Sequence, residues 1–171
     1  GCIMQIETER LILREMNEED FDDLYCVLAD SDIMQHYPYA FDEKRVRGWI
    51  EKNQERYQIF GFGLWAVCLK ENGKMIGDCG LTLQPIGNTI KPEIGYHIQK
   101  TYQRKGYATE VCLAVIGYAW NFLEFDKLNC LIQKGNKASE CLAEKLGFMF
   151  REEMDLDGKC MKRYTISKSG A

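Results

Sequence analysis

The residues Gln103 to Ala108, Gln-Arg-Lys-Gly-Tyr-Ala, limit the fold most severely. They join a strand-like run, Glu93 to Gln99, directly to a long apolar helix-like run, Thr109 to Leu123. A basic, glycine-containing turn between a strand and a helix suits a phosphate. The N–H groups at a helix start have no partner within the helix, the aligned peptide dipoles place partial positive charge there, and Gly106 lets the backbone approach closely. The turn reads as a pyrophosphate seat at the carboxyl end of a strand.

The rest of the chain supplies the sheet that such a turn needs. Glu9 to Arg14 is a short apolar run bounded by charges, a first strand. Asn17 begins a helix with acids in its first turn, and Asp42 caps a second helix reaching about Ile59, with Val46, Trp49, Ile50 and Tyr57 as its inward stripe. Between them, Ile33 to Phe41 is aromatic and irregular, and Pro38 blocks a continuous helix. Gly63 to Lys70 and Met75 to Leu83 are strands joined by a turn containing Asn72-Gly73, and the strand from Glu93 follows. Beyond the opening turn and its helix come a strand at Lys127 to Gln133, a helix at Lys137 to Leu146 ending on Gly147, and two strands that meet at Asp157-Gly158. The helical crossover makes the strands from Glu93 and Lys127 parallel, while the hairpins make the first part of the sheet and its last two strands antiparallel. The pattern is that of one α/β domain over residues 1–171, with its core in residues 8–166.

Several function classes are excluded by bulk properties. A formal net charge of −4 argues against a general nucleic-acid binder. The eight cysteines are scattered singly through apolar runs without a C-x-x-C pair, so they read as free, buried thiols in a reducing, cytoplasmic setting and not as a disulfide scaffold or metal site. No signal-peptide pattern precedes Thr8, and no apolar run approaches the roughly 20 residues of a membrane span.

The turn fails two nucleotide-binding patterns. A Walker loop, G-x-x-x-x-G-K-[ST], needs an earlier glycine and a Ser or Thr after its lysine; the dinucleotide fingerprint G-x-G-x-x-G is also absent. Instead Gln103-x-x-Gly106-x-Ala108 resembles the acyl-CoA pyrophosphate loop, (Q/R)-x-x-G-x-(G/A), of the GNAT superfamily of N-acyltransferases. Thr8 to Arg14, Glu93 to Tyr96, Gly106 to Glu110, Asn136-x-x-Ser139 and Glu144 to Phe148 resemble the branch that contains the ribosomal-protein N-terminal acetyltransferases. The resemblance spans residues 8–166 and implies a mixed, mostly antiparallel twisted sheet of about seven strands with helices on both faces.

It also implies acetyl transfer from acetyl-CoA to a primary amine by direct attack on the thioester, without a metal. By position, the backbone of Arg104, Lys105, Gly106, Tyr107, Ala108 and Thr109, with Gln103, would hold the pyrophosphate. Ile98 would face the pantetheine arm, Asn136 would bond its amide, and Ser139 would approach the sulfur. Many relatives place a tyrosine where this chain has Ser139, which weakens a general-acid role for that position. Asn136 and Ser139 are also well suited to capping the following helix.

The attacking amine must lose a proton, and Glu93 is the first candidate base, with His97 as an alternative relay. Strand alternation puts Glu93, Gly95 and His97 on one face. Glu110 reads as support for the turn, because a carboxylate there would repel phosphate. The acceptor, whether a protein N-terminus, polyamine, amino acid or drug, would meet the irregular segments Ile33 to Trp49 and Gln84 to Lys91, which carry no readable code. Monomer and homodimer stay open, and a catalytically silent acyl-CoA-binding module is the alternative reading.

Overall fold

A computed structural model describes residues 5–170. Cys2, expected as a free, buried thiol, lies outside these residues. Eight strands form one sheet in the order β1-β2-β3-β4-β5-β6-β8-β7. They are β1 (Gln5–Glu7), β2 (Leu11–Arg14), β3 (Leu64–Leu69), β4 (Met75–Ile86), β5 (Thr89–Ile98), β6 (Lys127–Gln133), β7 (Met149–Leu156) and β8 (Lys159–Ser167). The α-helices are α1 (Phe21–Leu28), α2 (Glu43–Phe60), α3 (Tyr107–Asn121) and α4 (Lys137–Leu146). Among the described strands only β5 and β6 are parallel, and the other neighbours are antiparallel.

The eighth strand is the departure from the expected count. Gln5 to Glu7 pairs with Ile12 to Arg14, a segment too short and too polar to announce itself by periodicity. Helix boundaries follow local chemistry. Asp42 accepts a hydrogen bond from Arg45 N–H at the start of α2, and Gly61 (φ 79°) and Gly147 (φ 100°) close α2 and α4 in the left-handed conformation that glycine adopts without steric cost. Asp20, one of the acids of the first turn, is buried. It accepts Asn17 N–H in a capping box and pairs with the Arg14 guanidinium at 2.7 Å.

Register decides which side chains meet. Asp78 pairs with His97, Gly80 with Gly95 and Thr82 with Glu93 across β4 and β5, so alternation puts all six on one face. Trp49 of α2 reaches Asp78 on that face. On the other face, Cys79 meets Cys112 of α3 and Tyr96 meets Ser139 of α4. Helices therefore cover both faces, with Trp65, Leu81, Val115 and Leu128 among the fully buried core. Helix α3, although apolar almost all the way round, leaves Leu113 exposed. One expectation needs correction. Of the seven described cysteines, all are free, but Cys26, Cys141 and Cys160 are exposed, since each lies on the solvent side of its element.

Gly80 and Gly95 are neighbours with opposite tolerances. A Cβ at Gly80 would lie 2.0 Å from the Gly63 carbonyl oxygen, a backbone atom that cannot move aside, whereas one at Gly95 meets nothing within 4 Å. Gly80→Ala is expected to lower unfolding free energy by about 1–3 kcal/mol or more through overpacking. Gly95→Ala should stay within about 0.5 kcal/mol of the parent. Urea denaturation of the two variants tests the contrast, and equal losses would refute it.

Candidate active site

Strands β5 and β6 pair in register where Glu93 faces Asn129 and carry no further ladder pairing beyond that point. The divergence opens a cavity of about 950 Å³ that runs through the split. It reaches residues of both sheet faces, including Glu93 and His97 on one and Tyr96 and Ser139 on the other. Main-chain groups near the split would remain unpaired without a partner, a state that folded proteins avoid in buried surroundings.

One end of the cavity is the turn before α3. Arg104 (φ 63°) and Gly106 (φ 83°) both adopt the left-handed conformation. The first helical bond runs from Glu110 N–H to Gly106 O, so the N–H groups of Tyr107, Ala108 and Thr109 have no acceptor within the helix. Such a run of outward N–H groups at the positive end of a helix dipole receives anions. Gln103 turns inward, its Nε2 donating to the Ile98 carbonyl at 2.9 Å, so it braces the end of β5 from within the turn.

The turn is pinned from outside by β2 and the residues before it. Glu110 accepts hydrogen bonds from Thr8 Oγ1, from Arg10 N–H at 2.8 Å and from Arg10 Nε at 2.7 Å. Burial pushes the Glu110 carboxyl up, but these donors outweigh it and hold it below the usual carboxylate range. Arg10 also donates to the Lys105 carbonyl at 2.9 Å and lies 4.2 Å from the centre of the Tyr107 ring. Glu110 is thus occupied in positioning the turn.

In the middle of the cavity, Glu93 sits at the fork. Leu131 N–H, which would otherwise enter the ladder, donates to its Oε2 at 3.1 Å. Burial pushes the Glu93 carboxyl up to about 7, against the opposing pulls of that hydrogen bond and the His97 charge. On the other face, the Ser139 hydroxyl lies 3.2 Å from the Tyr96 hydroxyl. Asn136 caps α4, its Oδ1 accepting Ser139 N–H at 3.2 Å, and its side-chain amide lines the cavity. Arg104, Gly106, Tyr107, Ala108 and Thr109 line the same space, as do Ile98 and Gln103; the Lys105 side chain does not.

The other end is walled by the aromatic connection and by α2. Tyr37, Phe41 and Trp49 form a mutual edge-to-face cluster with ring centres 5.2–6.0 Å apart, and Trp49 lies 5.6 Å from His97. His36 is desolvated here, which lowers its imidazole to about 4. Beneath the wall, Asp78 is fully buried, accepting Trp49 Nε1–H at 3.0 Å and meeting His97 Nδ1 at 2.8 Å. Asp78 and Tyr96 are the site residues that sequence reasoning missed. A lone aspartate in the otherwise apolar run Met75 to Leu83 was the available signal for the first. Tyr96 was visible as a neighbour of Glu93 but not as a partner of Ser139, because the contact spans 43 positions.

Comparison with known proteins places this geometry. Residues 10–149 match the acetyltransferase (GNAT) domain family. An uncharacterized Bacillus subtilis protein, YkkB, is 35% identical over 147 residues, covering 85% of this chain and 86% of YkkB. The uncharacterized N-acetyltransferase YoaA of the same organism is 26% identical, covering 84% of this chain and 81% of YoaA. An acetyltransferase from Agrobacterium tumefaciens shares the fold with a TM-score of 0.83 at 24% identity, covering 98% of this chain and 96% of that one. RimL, a ribosomal alpha-N-protein acetyltransferase solved in complex with coenzyme A, superposes with a TM-score of 0.79 at 19% identity, covering 98% of this chain and all of RimL. Among the described residues no cluster of metal-ligating side chains occurs, and no helix is long and apolar enough to cross a membrane.

The raised Glu93 carboxyl has a consequence for stability. Folded Glu93 holds its proton up to about 7, and the unfolded carboxyl releases it near 4.5. Between those values the native state binds more protons, so stability falls as pH rises across the window, by about 3 kcal/mol in all. Glu93→Gln is neutral throughout. It is expected to gain stability relative to the parent as pH rises from 5 to 8, in denaturant titrations at unit pH steps. A constant difference between the two proteins would contradict the desolvated carboxyl.

Proposed function

The chain belongs to the GNAT acetyltransferase family, and from that membership we propose that it is an acetyl-CoA-dependent N-acetyltransferase acting on a primary amine, with Glu93 as its base. The observation that carries this reading is the position of Glu93 at the fork of β5 and β6, with its carboxyl lifted to about 7. A general base works best when its pKa lies near the working pH.

Acetyl-CoA fits the cavity by three features. The turn offers free N–H groups for a pyrophosphate, the split offers main-chain partners for pantetheine amides, and the Asn136 side chain faces the channel between them. Ile98 then contributes chiefly its main chain near the arm, and Gln103 keeps that strand end in place. Arg104 and Lys105 add charge near the phosphates. The thioester supplies an electrophilic carbonyl and a thiolate leaving group.

The acceptor enters from the aromatic wall as an ammonium ion. Glu93 takes one proton, directly or through a water, and the nitrogen lone pair forms the N–C bond as the carbonyl π pair moves onto oxygen. Return of that pair breaks the C–S bond, and the second proton of the nitrogen passes through water to the departing thiolate. Main-chain N–H groups at the split stabilise the oxyanion that develops on the carbonyl oxygen. The electron pair leaves on sulfur, where Ser139, hydrogen-bonded to Tyr96, donates toward the thiolate. Burial raises the Tyr96 phenol above its ordinary value, so it serves better as a hydrogen-bond donor than as an acid. Full protonation of a thiolate of pKa near 8.5 is not required at neutral pH. RimL, whose activity is toward a ribosomal protein, is related to this chain in fold alone, and its acceptor does not define the one bound here.

Two measurements test the assignment. Glu93→Gln should lower turnover at saturating acetyl-CoA by about 10²–10⁴-fold, with loss of the acid limb near pH 7. Free-thiol release against a verified amine reads this, and undiminished turnover removes Glu93 as base. Gly106→Glu should weaken coenzyme A binding at least about 100-fold, by replacing an anion seat with a carboxylate. Calorimetric titration of protein shown to be folded by thermal denaturation checks it, and an unchanged isotherm removes the phosphate assignment.

A further inference from the structure

Helix α2 presents one stripe to the cavity: Arg45, Trp49, Lys52, Asn53 and Arg56, at spacings of three and four. Its three cations have no carboxylate within 4 Å among the described residues, although Arg47 on another face of the same helix pairs with Glu43 at 3.1 Å. Of the carboxylates lining the cavity, Asp32 is paired with Lys100 and Glu93 is at the fork. The cavity wall is therefore cationic in a chain whose net charge is −4.

Arg56 is the fixed member of the stripe. Its Nη1 donates to Asn53 Oδ1 at 2.9 Å, and Asn53 is fully buried, also accepting Leu64 N–H at 3.0 Å and donating to the Trp49 carbonyl at 2.9 Å. One of five guanidinium N–H groups is thus spent on a neutral amide. Burial lowers the Arg56 pKa, and only Tyr37, Tyr57 and Asp78 oppose it. A half-buried guanidinium with unspent donors, held rigidly on a cavity wall, is suited to a planar oxyanion.

We propose that the acceptor is a primary amine that also carries a carboxylate, its amine directed to Glu93 and its carboxylate held by Arg56, with Arg45 and Lys52 drawing the anion in. This rests on the acetyl-transfer reading for the amine and on the α2 stripe alone for the carboxylate. A free amino acid and a peptide with an acidic residue after its N-terminus share that chemistry. Polyamines and aminoglycosides, which carry only positive charge, are disfavoured by the same wall.

The test uses the whole chain with acetyl-CoA. Free-thiol release is measured for the twenty amino acids, for the amides and decarboxylated amines of the best substrates, and for peptides with Asp or Asn at their second position. The carboxylate form is expected to exceed its neutral counterpart by about tenfold or more in kcat/KM. That ratio should collapse toward one in Arg56→Gln and recover partly in Arg56→Lys. The free amino acids and the peptides distinguish the two sources. In parallel, calorimetry measures binding of the same pairs to protein saturated with coenzyme A. A carboxylate preference in binding without any thiol release would overturn acetyl transfer and support the anion site. Transfer to amines without preference for a carboxylate would overturn the anion site alone. A ratio that survives in Arg56→Gln, or a loss of coenzyme A affinity in that variant, would also overturn it, the latter by assigning Arg56 to the donor.

Discussion

The parting of β5 from β6 is the constraint on which the rest of the site depends. A sheet is stable because each strand satisfies its neighbour's N–H and C=O groups, and an unmet group in a buried setting costs about 1–3 kcal/mol. Here two central strands are in register at Glu93 and Asn129 and then diverge. The chain compensates partly from within: Leu131 N–H turns to the Glu93 carboxylate, and Asn129 Nδ2 reaches the Pro92 carbonyl at 3.3 Å. The split also joins the two faces of the sheet. Glu93 belongs to the face under α2 and Ser139 to the face under α4, and both line one cavity because no ladder separates them.

A split of this kind is useful only if its mouth is held in place, and that task falls to residues nearly a hundred positions away. Thr8 and Arg10, just before β2, grip Glu110 in the first turn of α3, and Arg10 extends to Lys105 O and the Tyr107 ring. The latch keeps a carboxylate from facing the anion seat. It holds the Lys105 carbonyl next to Arg104, whose left-handed conformation is uncommon for a residue with a side chain. Sequence patterns show the two halves, Thr8 to Arg14 and Gly106 to Glu110, as separate similarities, while the structure makes them one device.

Elements with a local cause were legible from sequence. The caps at Asn17, Asp42 and Asn136, the glycine closure at Gly147, and the turns at Gly73 and Gly158 each act within a few residues, so residue type and spacing reveal them. The crossover rule gave the parallel pair, and alternation gave the shared face of Glu93, Gly95 and His97. What escaped were partnerships across the sheet. Asp78 looked like an interruption in an apolar strand, and its role depends on register with His97 and on the angle at which α2 delivers Trp49. Arg56 looked like one charge in a charged helix, because nothing local tells that its face turns toward a cavity. The edge strand Gln5 to Glu7 exists only through its partner.

The buried aspartate shows why such partnerships matter for the site. A carboxyl group removed from water is tolerated only when hydrogen-bonded, and leaving it short of a partner typically costs about 1–3 kcal/mol. Asp78 meets this condition with two groups from different walls: Trp49 of α2 and His97 of β5. The geometry of the cavity is thereby tied to a buried polar group that cannot be left unmet. If α2 drifted outward, the Trp49 donor would be lost; if β5 slipped in register, His97 would be lost. The helix that carries the cationic stripe and the strand that carries Glu93 are held at a fixed separation by one residue that lines neither. Net charge says nothing about this arrangement, because the field in the cavity is set by which few side chains the sheet and α2 turn inward.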